Sequence, residues 1–294
     1  MTSKLKFILP MLPKVPSMLI EYLRKSRKTA LYSEARFLHA TNARILSTNY
    51  KALLQNSTTS NISISLTTHK DRIYYLHYVL DSLFFQILRP KCVDLYVTRG
   101  EYTKLPDFFN QFYPWLQVHE CKNYGAFKKF IPKLKSAQKN ELIVSLDDDY
   151  IYPPHLISSL YNLKCQNPES ITVYCGHSEP AGMSGGTGIL WDTNIINEEK
   201  LPFFFDEAIF FDAIGKNMDD LFISVAFQEA GINVSPVHKS SQFLNLLRSE
   251  FIALPSELLH AISAAPSSNN ISKKEQDALT IKAREIIKKA LNKA

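Results

Sequence analysis

Leu142-Ile-Val-Ser-Leu-Asp147-Asp148-Asp149-Tyr-Ile-Tyr152 is the stretch on which the reading of this chain turns. Leu142 to Leu146 is an apolar run of the kind that forms a buried strand, and it stops at three consecutive carboxylates. Pro153 and Pro154 follow, then a helical pattern over 155–165. Three adjacent acids at the end of a buried strand repel one another, so the arrangement is costly unless a cation or hydrogen-bonding ligand is present. Strand alternation would send Asp147 and Asp149 to the same side. Two hard oxygen ligands on one side suit Mg²⁺ or Mn²⁺, with water and phosphate completing the shell. In open α/β sheets, ligands bind beyond the carboxyl ends of the strands, which is where these acids stand. The bland alternative is a solvated acidic turn capping the next helix, although a cap needs one acid and not three.

Upstream, the chain alternates strand and helix. Ile62–Thr67 reads as a strand, 73–86 as a helix with Leu76, Leu80, Leu83 and Phe84 on one face, and Val93–Thr98 as a second strand. A short helix or turn over 108–113, a strand over 116–119 and a helix over 128–137 lead to the strand before the acids. Pro132 falls near the start of that helix, where it is tolerated. This order predicts an α/β fold with a mainly parallel sheet flanked by helices.

Downstream the rhythm changes. Ile171–Cys175 reads as a strand. Glycines at 176, 182, 185, 186 and 188 then mark a loop where the backbone bends sharply or approaches a ligand. Ile189–Trp191 resumes strand character. Phe203, Phe204, Phe205, Phe210 and Phe211 read as core, with an aromatic shelf for a sugar ring as the alternative. Asp219 and Asp220 open a helix that Gly231 ends, and a last strand follows over 232–237. Taken alone, that acidic pair is ordinary helix N-terminus chemistry.

With 294 residues, 45% of them hydrophobic, the chain can bury a sizeable core, which excludes disorder throughout. Cys92, Cys121, Cys165 and Cys175 show no metal-ligand spacing, and no signal peptide is recognisable, so we expect a cytoplasmic protein. The net charge of +6 is concentrated at the two ends, while the middle is slightly acidic. Basic ends on an acidic body fit an anionic membrane surface better than nucleic acid, for which no recognised module is present. The apolar runs of residues 1–29 are too short and too broken by proline to span a bilayer. Residues 30–54 read as a helix and 55–61 as a polar linker.

Taken in order, Ser65-Leu-Thr-Thr-His-Lys-Asp-Arg72, Gly125-Ala-Phe-Lys-Lys129, Leu146-Asp-Asp-Asp149, Gly185-Gly-Thr-Gly188 and Asp219-Asp220 give the chain a resemblance to GT-A-fold glycosyltransferases. It is most similar to the bacterial family 2 type that builds surface polysaccharides, such as lipopolysaccharide or capsule. The resemblance covers about residues 60–240. It implies a basic helical extension over 1–59, a GT-A (Rossmann-like) catalytic domain over 60–240, and a helical C-terminal extension over 241–294.

The resemblance also implies roles. Thr67 and Arg72 would begin the nucleotide pocket, and Lys128 and Lys129 would meet the donor's nucleotide or pyrophosphate. Asp147 would sit near the ribose or metal, Asp148 beside it, and Asp149 would be the direct ligand of Mn²⁺ or Mg²⁺. Asp220 would be the base, with Asp219 the other candidate, and His238 a further metal ligand. The partners implied are a nucleotide-sugar donor, a UDP-sugar first, and a glycan or lipid-linked acceptor. A metal and a lysine suit the charge that develops on a departing nucleoside diphosphate, and a carboxylate suits removal of the acceptor's proton. A single base opposite the leaving group implies inversion at the anomeric carbon. The absence of a Gln-x-x-Arg-Trp motif and of membrane-spanning runs implies addition of one sugar at a time.

Three other readings compete. A haloacid-dehalogenase-type phosphatase would use Asp147 as nucleophile and Asp149 as acid, but Ile151 stands where that family wants Thr or Val, and the motif falls late. A nucleotidyltransferase would want a glycine-rich loop where Thr67-Thr-His-Lys stands. An inactive sugar- or membrane-binding module would not require the acids, all of which are present. Finally, 271–294 reads as a basic amphipathic helix with Leu279, Ala283, Ile286, Ile287, Ala290 and Leu291 near one face. It would either lie on a membrane or pack on a protein surface.

Overall fold

The computed structural model describes residues 40–55, 59–176, 185–215, 218–239, 252–253 and 273–292. The chain divides into two units, Met1–Thr48 and Asn49–Ala294. In the first unit, the described part is a helix over 40–47. The hydroxyls of Ser47 and Thr48 donate to the Arg44 carbonyl at 3.0 and 2.7 Å. The basic stretch 1–29, residues 56–58 of the polar linker, and 254–272 lie outside the described residues.

In the second unit, α1 (Tyr50–Gln55) begins where the Asn49 side chain accepts the Ala52 amide at 3.1 Å. Short polar side chains of this kind compete with helix interiors and favour their starts. The expected helix over 30–54 is therefore interrupted at Thr48 and Asn49, neither of which is helical. Tyr50 is buried and packs its ring 4.9 Å from Phe84 and 4.4 Å from Phe112.

The sheet of this unit has seven strands in the order β3-β2-β1-β4-β7-β6-β8. In chain order these are β1 (Ile62–Thr67), β2 (Cys92–Thr98), β3 (Leu116–Cys121), β4 (Leu142–Leu146), β6 (Ile171–Gly176), β7 (Ile189–Asp192) and β8 (Val234–Lys239). A separate pair joins β5 (Tyr150–Ile151) to β9 (Ile252–Ala253). β1 runs parallel to both β2 and β4, β2 to β3, and β6 to β8, while β7 alone is antiparallel to its neighbours. The sheet is thus mostly parallel, as the alternating sequence predicts. Ile64, Leu66, Val93, Leu95, Ile143 and Val144 are fully buried, and so are Ser65 and Ser145, so the centre of the sheet is covered on both faces.

Helices flank the sheet: α2 (Leu76–Phe84), α3 (Ile131–Ser136), α4 (Leu156–Gln166) and α5 (Asp219–Glu229). A 3₁₀ turn, Lys70–Tyr75, leads into α2, and another, Gly125–Lys129, precedes α3. Gly231 ends α5 as expected. Its φ is +65°, its amide donates to the Gln228 carbonyl, and the Ile232 amide reaches the Phe227 carbonyl at 2.9 Å. That pair of bonds is the Schellman arrangement, which favours glycine at the left-handed position.

The core under β4, β6 and β7 is aromatic. Trp191 stacks on Phe130 at 5.1 Å and donates its indole N–H to Ser145 Oγ at 2.8 Å. Phe203, Phe204, Phe205 and Phe210 are all buried in this core. This rules out those four side chains as a sugar shelf, because a ring that faces no solvent cannot meet a sugar.

The C-terminal helix α6 (Lys273–Leu291) packs on α5 and on the π-helix Ala208–Ile214. Ala283 and Ile287 are buried there, and Arg284 pairs with Glu229 at 2.8 Å. The apolar face of α6 is thus spent on the domain itself. Among the described residues, no helix is long and apolar enough to cross a membrane.

Candidate active site

The chain leaves β1 to build β2 and β3 on one side, then returns to lay β4 on the other side of β1. The crevice beyond the carboxyl ends of β1 and β4 is therefore the topological switch point, where open α/β sheets bind ligands. Thr68, Arg72 and the three acids meet in it. β4 ends at Leu146, so the acids lie beyond regular strand and alternation does not govern them. They divide instead by partner.

Asp147 Oδ1 accepts Lys129 Nζ at 2.7 Å. Asp148 accepts the Thr68 hydroxyl at 2.6 Å and pairs with Arg72 at 2.6 Å. Asp149 pairs with the same Arg72 nitrogen at 3.1 Å. The backbone at the acids is pinned by the buried Tyr152 hydroxyl, 2.9 Å from the amide and carbonyl of Asp147 and from the Gly186 carbonyl. Gln86 ties down the next turn, donating to the Pro153 carbonyl and accepting the Ile157 amide.

Lys129 joins the triad to the later acids. Its ammonium lies 2.7 Å from Asp147 Oδ1 and also 2.7 Å from Asp219 Oδ2, with its side chain 4% exposed. Burial pulls the Lys129 pKa down, but the attraction of Asp147, Asp219 and Asp220 outweighs it and holds the ammonium well above the usual lysine range. Asp219 is buried, while the adjacent Asp220 is half-buried in the first turn of α5. Tyr150 lies among the acids, and burial, then Asp149, Asp147 and Asp220, push its phenol pKa up.

Lys128, the neighbour of Lys129, points elsewhere. It donates to Thr98 Oγ1 at 2.9 Å and approaches Glu101 at 3.9 Å. Burial lowers its pKa, against the opposing pull of Glu101. Glu101 also accepts the amide of Lys70 at 2.8 Å, holding that residue at a φ of +48°. A non-glycine residue there is strained and needs such support. Burial, and then the Arg72 charge, lower the His69 pKa in the same loop.

Thr67 takes no part in the acid cluster, since its hydroxyl donates to the Tyr96 carbonyl at 2.9 Å. Thr68, one residue on, makes the contact with Asp148. His238 stands on β8, three strands from β4, with its ring 5.0 Å from that of Tyr174. Sequence reading missed Thr68, Tyr152, Thr98 and Glu101. A weak signal existed for Thr68, as the first residue past a strand end. Tyr152, Thr98 and Glu101 carry no pattern beyond proximity to motifs.

A divalent cation fits the arrangement in one respect and is limited in another. Asp149 Oδ1 is shielded from solvent and has no hydrogen-bond partner among the described residues. Burial and the charges of Asp147 and Asp148 raise the Asp149 pKa to about 7, even with Arg72 beside it. The other oxygen of Asp147, Oδ2, faces Gly186 so closely that a Cβ there would lie 2.3 Å away. The unpartnered Oδ1 and the raised pKa of Asp149 are marks of an acid short of positive charge. Yet among the described residues no three His, Cys, Asp or Glu side chains are arranged to share an ion. Asp149 and Asp147 would hold it, and one or two carboxylates with substrate phosphate is the usual environment of Mg²⁺.

No family model matches the chain, and no curated protein matches it in sequence. Among solved structures it is similar to Staphylococcus aureus TarS residues 1–349, at 14% identity and a TM-score of 0.42 over 76% of this chain and 71% of that one. The same TarS fragment in complex with UDP-GlcNAc is matched at 16% identity and a TM-score of 0.33. There the chain spans about a third of the fragment's length, 34%, using 40% of its own. A third likeness is to the 2-C-methyl-D-erythritol 4-phosphate cytidylyltransferase of Francisella tularensis, at 12% identity and a TM-score of 0.39 over 61% of this chain and 90% of that one.

Proposed function

We propose that the chain is a GT-A-type glycosyltransferase that moves a single sugar from a nucleotide-sugar donor, a UDP-sugar first among them, to a hydroxyl of a glycan or lipid-linked acceptor. The observation that carries this reading is the cluster at the carboxyl ends of β1 and β4, where, among the described residues, Asp147, Asp148, Asp149 and Asp219 have ion pairs with Arg72 and Lys129 alone. Such an excess of acid suits a ligand that arrives with a divalent cation. The donor's nucleotide would lie along the loop Thr67–Arg72 and against Lys128. Asp148, fixed by Thr68 and Arg72, would border the ribose. Mn²⁺ or Mg²⁺, held by Asp149 and Asp147, would supply charge compensation for the departing diphosphate.

Asp220 is the base in this scheme. It takes the acceptor hydroxyl's proton as that oxygen bonds to the anomeric carbon. The bond from that carbon to the diphosphate oxygen breaks, and the electron pair leaves with the nucleoside diphosphate. One base opposite one leaving group inverts the anomeric centre, and recovery of a retained product would exclude this geometry. We place the reaction in bacterial surface polysaccharide synthesis, on the cytoplasmic side of the membrane.

The test is a donor screen. UDP-, GDP-, dTDP- and CMP-sugars are offered with Mn²⁺ or Mg²⁺, and nucleotide release is followed. Metal-dependent release from one donor, lost in Asp149→Ala, supports the reading. Silence with every donor, together with no metal-dependent thermal shift by any nucleotide, overturns it.

A further inference from the structure

Lys129 is one of the two most enclosed cations of the site, and the resemblance does not explain its position. The resemblance would have it meet the donor. In the structure its ammonium is already committed to two carboxylates from different parts of the chain, Asp147 after β4 and Asp219 at the start of α5, at 2.7 Å each. Two of the three N–H donors of its ammonium are thus engaged by carboxylates before any substrate arrives. The Gly125–Lys129 turn sends Lys128 and Lys129 in different directions, so only Lys128 is placed beside the β1 and β2 loops.

We propose that Lys129 divides its charge between Asp147 and Asp219, and that this division sets both the cation affinity of Asp147 and the position of Asp220. The inference rests on the transferase reading of the same site. Asp219 draws the ammonium partly away from Asp147. Asp147 Oδ2, which lies against Gly186 and takes no part in the Lys129 contact, is the oxygen this proposal gives to the cation. The Lys129–Asp219 pair also anchors the first turn of α5, and so fixes the neighbouring Asp220. Lys129 and Asp219 are thus positioning residues, and Asp220 is the one of the acidic pair assigned to the acceptor.

Two substitutions should move cation affinity in opposite directions. In Asp219→Asn the whole Lys129 charge falls on Asp147, which becomes a poorer ligand. In Lys129→Met, Asp147 is released and becomes a better one, while Asp219 and Asp147 repel each other and displace the start of α5. A general loss of structure would weaken binding in both variants, so the opposed signs separate the proposal from a structural effect.

The experiment is calorimetric titration of MnCl₂ into protein saturated with UDP, alongside steady-state kinetics with the donor the screen identifies. The expected result is Mn²⁺ binding weakened roughly tenfold in Asp219→Asn and tightened by a similar factor in Lys129→Met, the scale of changes beside a metal ligand. In Lys129→Met, kcat falls although binding improves. Lys129→Arg keeps the charge and falls between wild type and Lys129→Met. If Lys129→Met does not fold, Asp219→Asn and the double variant Lys129→Met/Asp219→Asn carry the test, with the double variant binding Mn²⁺ more tightly than Asp219→Asn. Equal weakening in both single variants, or no change in either, overturns the proposal while leaving the transferase reading intact. Wild-type protein that binds no Mn²⁺ with any nucleoside diphosphate and turns over no donor overturns both.

Discussion

The hydroxyl of Thr68 donates to Asp148 Oδ2 across 2.6 Å, joining the loop after β1 to the loop after β4 at the point where the strand order reverses. Arg72 reinforces the junction from the same loop, reaching Asp148 at 2.6 Å and Asp149 at 3.1 Å. Thr68 and Asp148 are almost fully buried, so this junction is part of the floor of the site. The Arg72 side chain is 17% exposed and that of Asp148 is 6% exposed. Replacing Arg72 with Met leaves the buried Asp148 carboxyl and the partly exposed Asp149 carboxyl without their cation. We expect a loss of about 3 kcal/mol in urea unfolding at neutral pH, the scale for breaking a buried pair from one side. Equal stability of wild type and variant would show that the pair contributes nothing.

Without a divalent ion, stability should depend on pH through Asp149. Its folded pKa is raised from 3.8 to about 7 by burial, then by Asp147 and Asp148. A carboxyl raised in the folded state holds its proton longer there than in the unfolded chain. Between 3.8 and about 7 the folded state therefore binds more protons, and stability rises as pH falls through that window. Above about 7 the full penalty is present. Melting temperatures of metal-free protein should climb on mild acidification, and Asp149→Asn should flatten the climb. A wild-type profile already flat across the window would contradict the charge deficit assigned to the triad.

Gly186 is needed for space. A Cβ at this position would fall 2.3 Å from Asp147 Oδ2 and 3.1 Å from its Cγ. Asp147 cannot retreat freely, because Lys129 holds its other oxygen. In Gly186→Ala the carboxylate must turn away, and Mn²⁺ binding with UDP should weaken more than folding does. The comparison is calorimetry against thermal melting. A variant that melts far earlier yet keeps its Mn²⁺ affinity would assign Gly186 to packing alone.

Asp220 and Asp219 should differ although they are neighbours. Asp220→Asn should lower transfer by about 10²- to 10⁴-fold, as expected for loss of a general base. Donor binding should change little, because Asp220 is not among the proposed donor contacts. Steady-state kinetics with acceptor varied against donor varied separates the two effects. A larger loss in Asp219→Asn than in Asp220→Asn would exchange their roles.

The docking of α6 can be tested by Ile287→Ala. Ile287 is fully buried at the contact with α5 and the π-helix. The variant should lose about 2–5 kcal/mol in denaturant unfolding, the range for truncating a buried isoleucine. An unchanged midpoint would mean that α6 does not hold to the domain in solution.

The sequence by itself determined the order and type of the elements, because local patterns carry them. Ile62–Thr67 and Leu142–Leu146 were bounded correctly, since each is a short run of apolar and small hydroxyl side chains that stops at polar or charged residues. Gly231 marked the end of α5 because only a left-handed residue completes that cap. The same local logic located the acids at the end of β4 without showing what neutralises them. Tertiary structure decided that Lys129 serves Asp147 and Asp219 while Lys128 serves Thr98 and Glu101. It also decided that Thr68 reaches Asp148, and that the phenylalanines at 203–205 lie inside. It placed the apolar face of α6 against α5 and the π-helix, where the sequence left membrane and protein surfaces equally open. Periodicity reports whether a residue belongs on a buried face. The partner of a charge is set by which distant loop the sheet order brings within about 3 Å of it, and short-range sequence spacing contains no record of that distance.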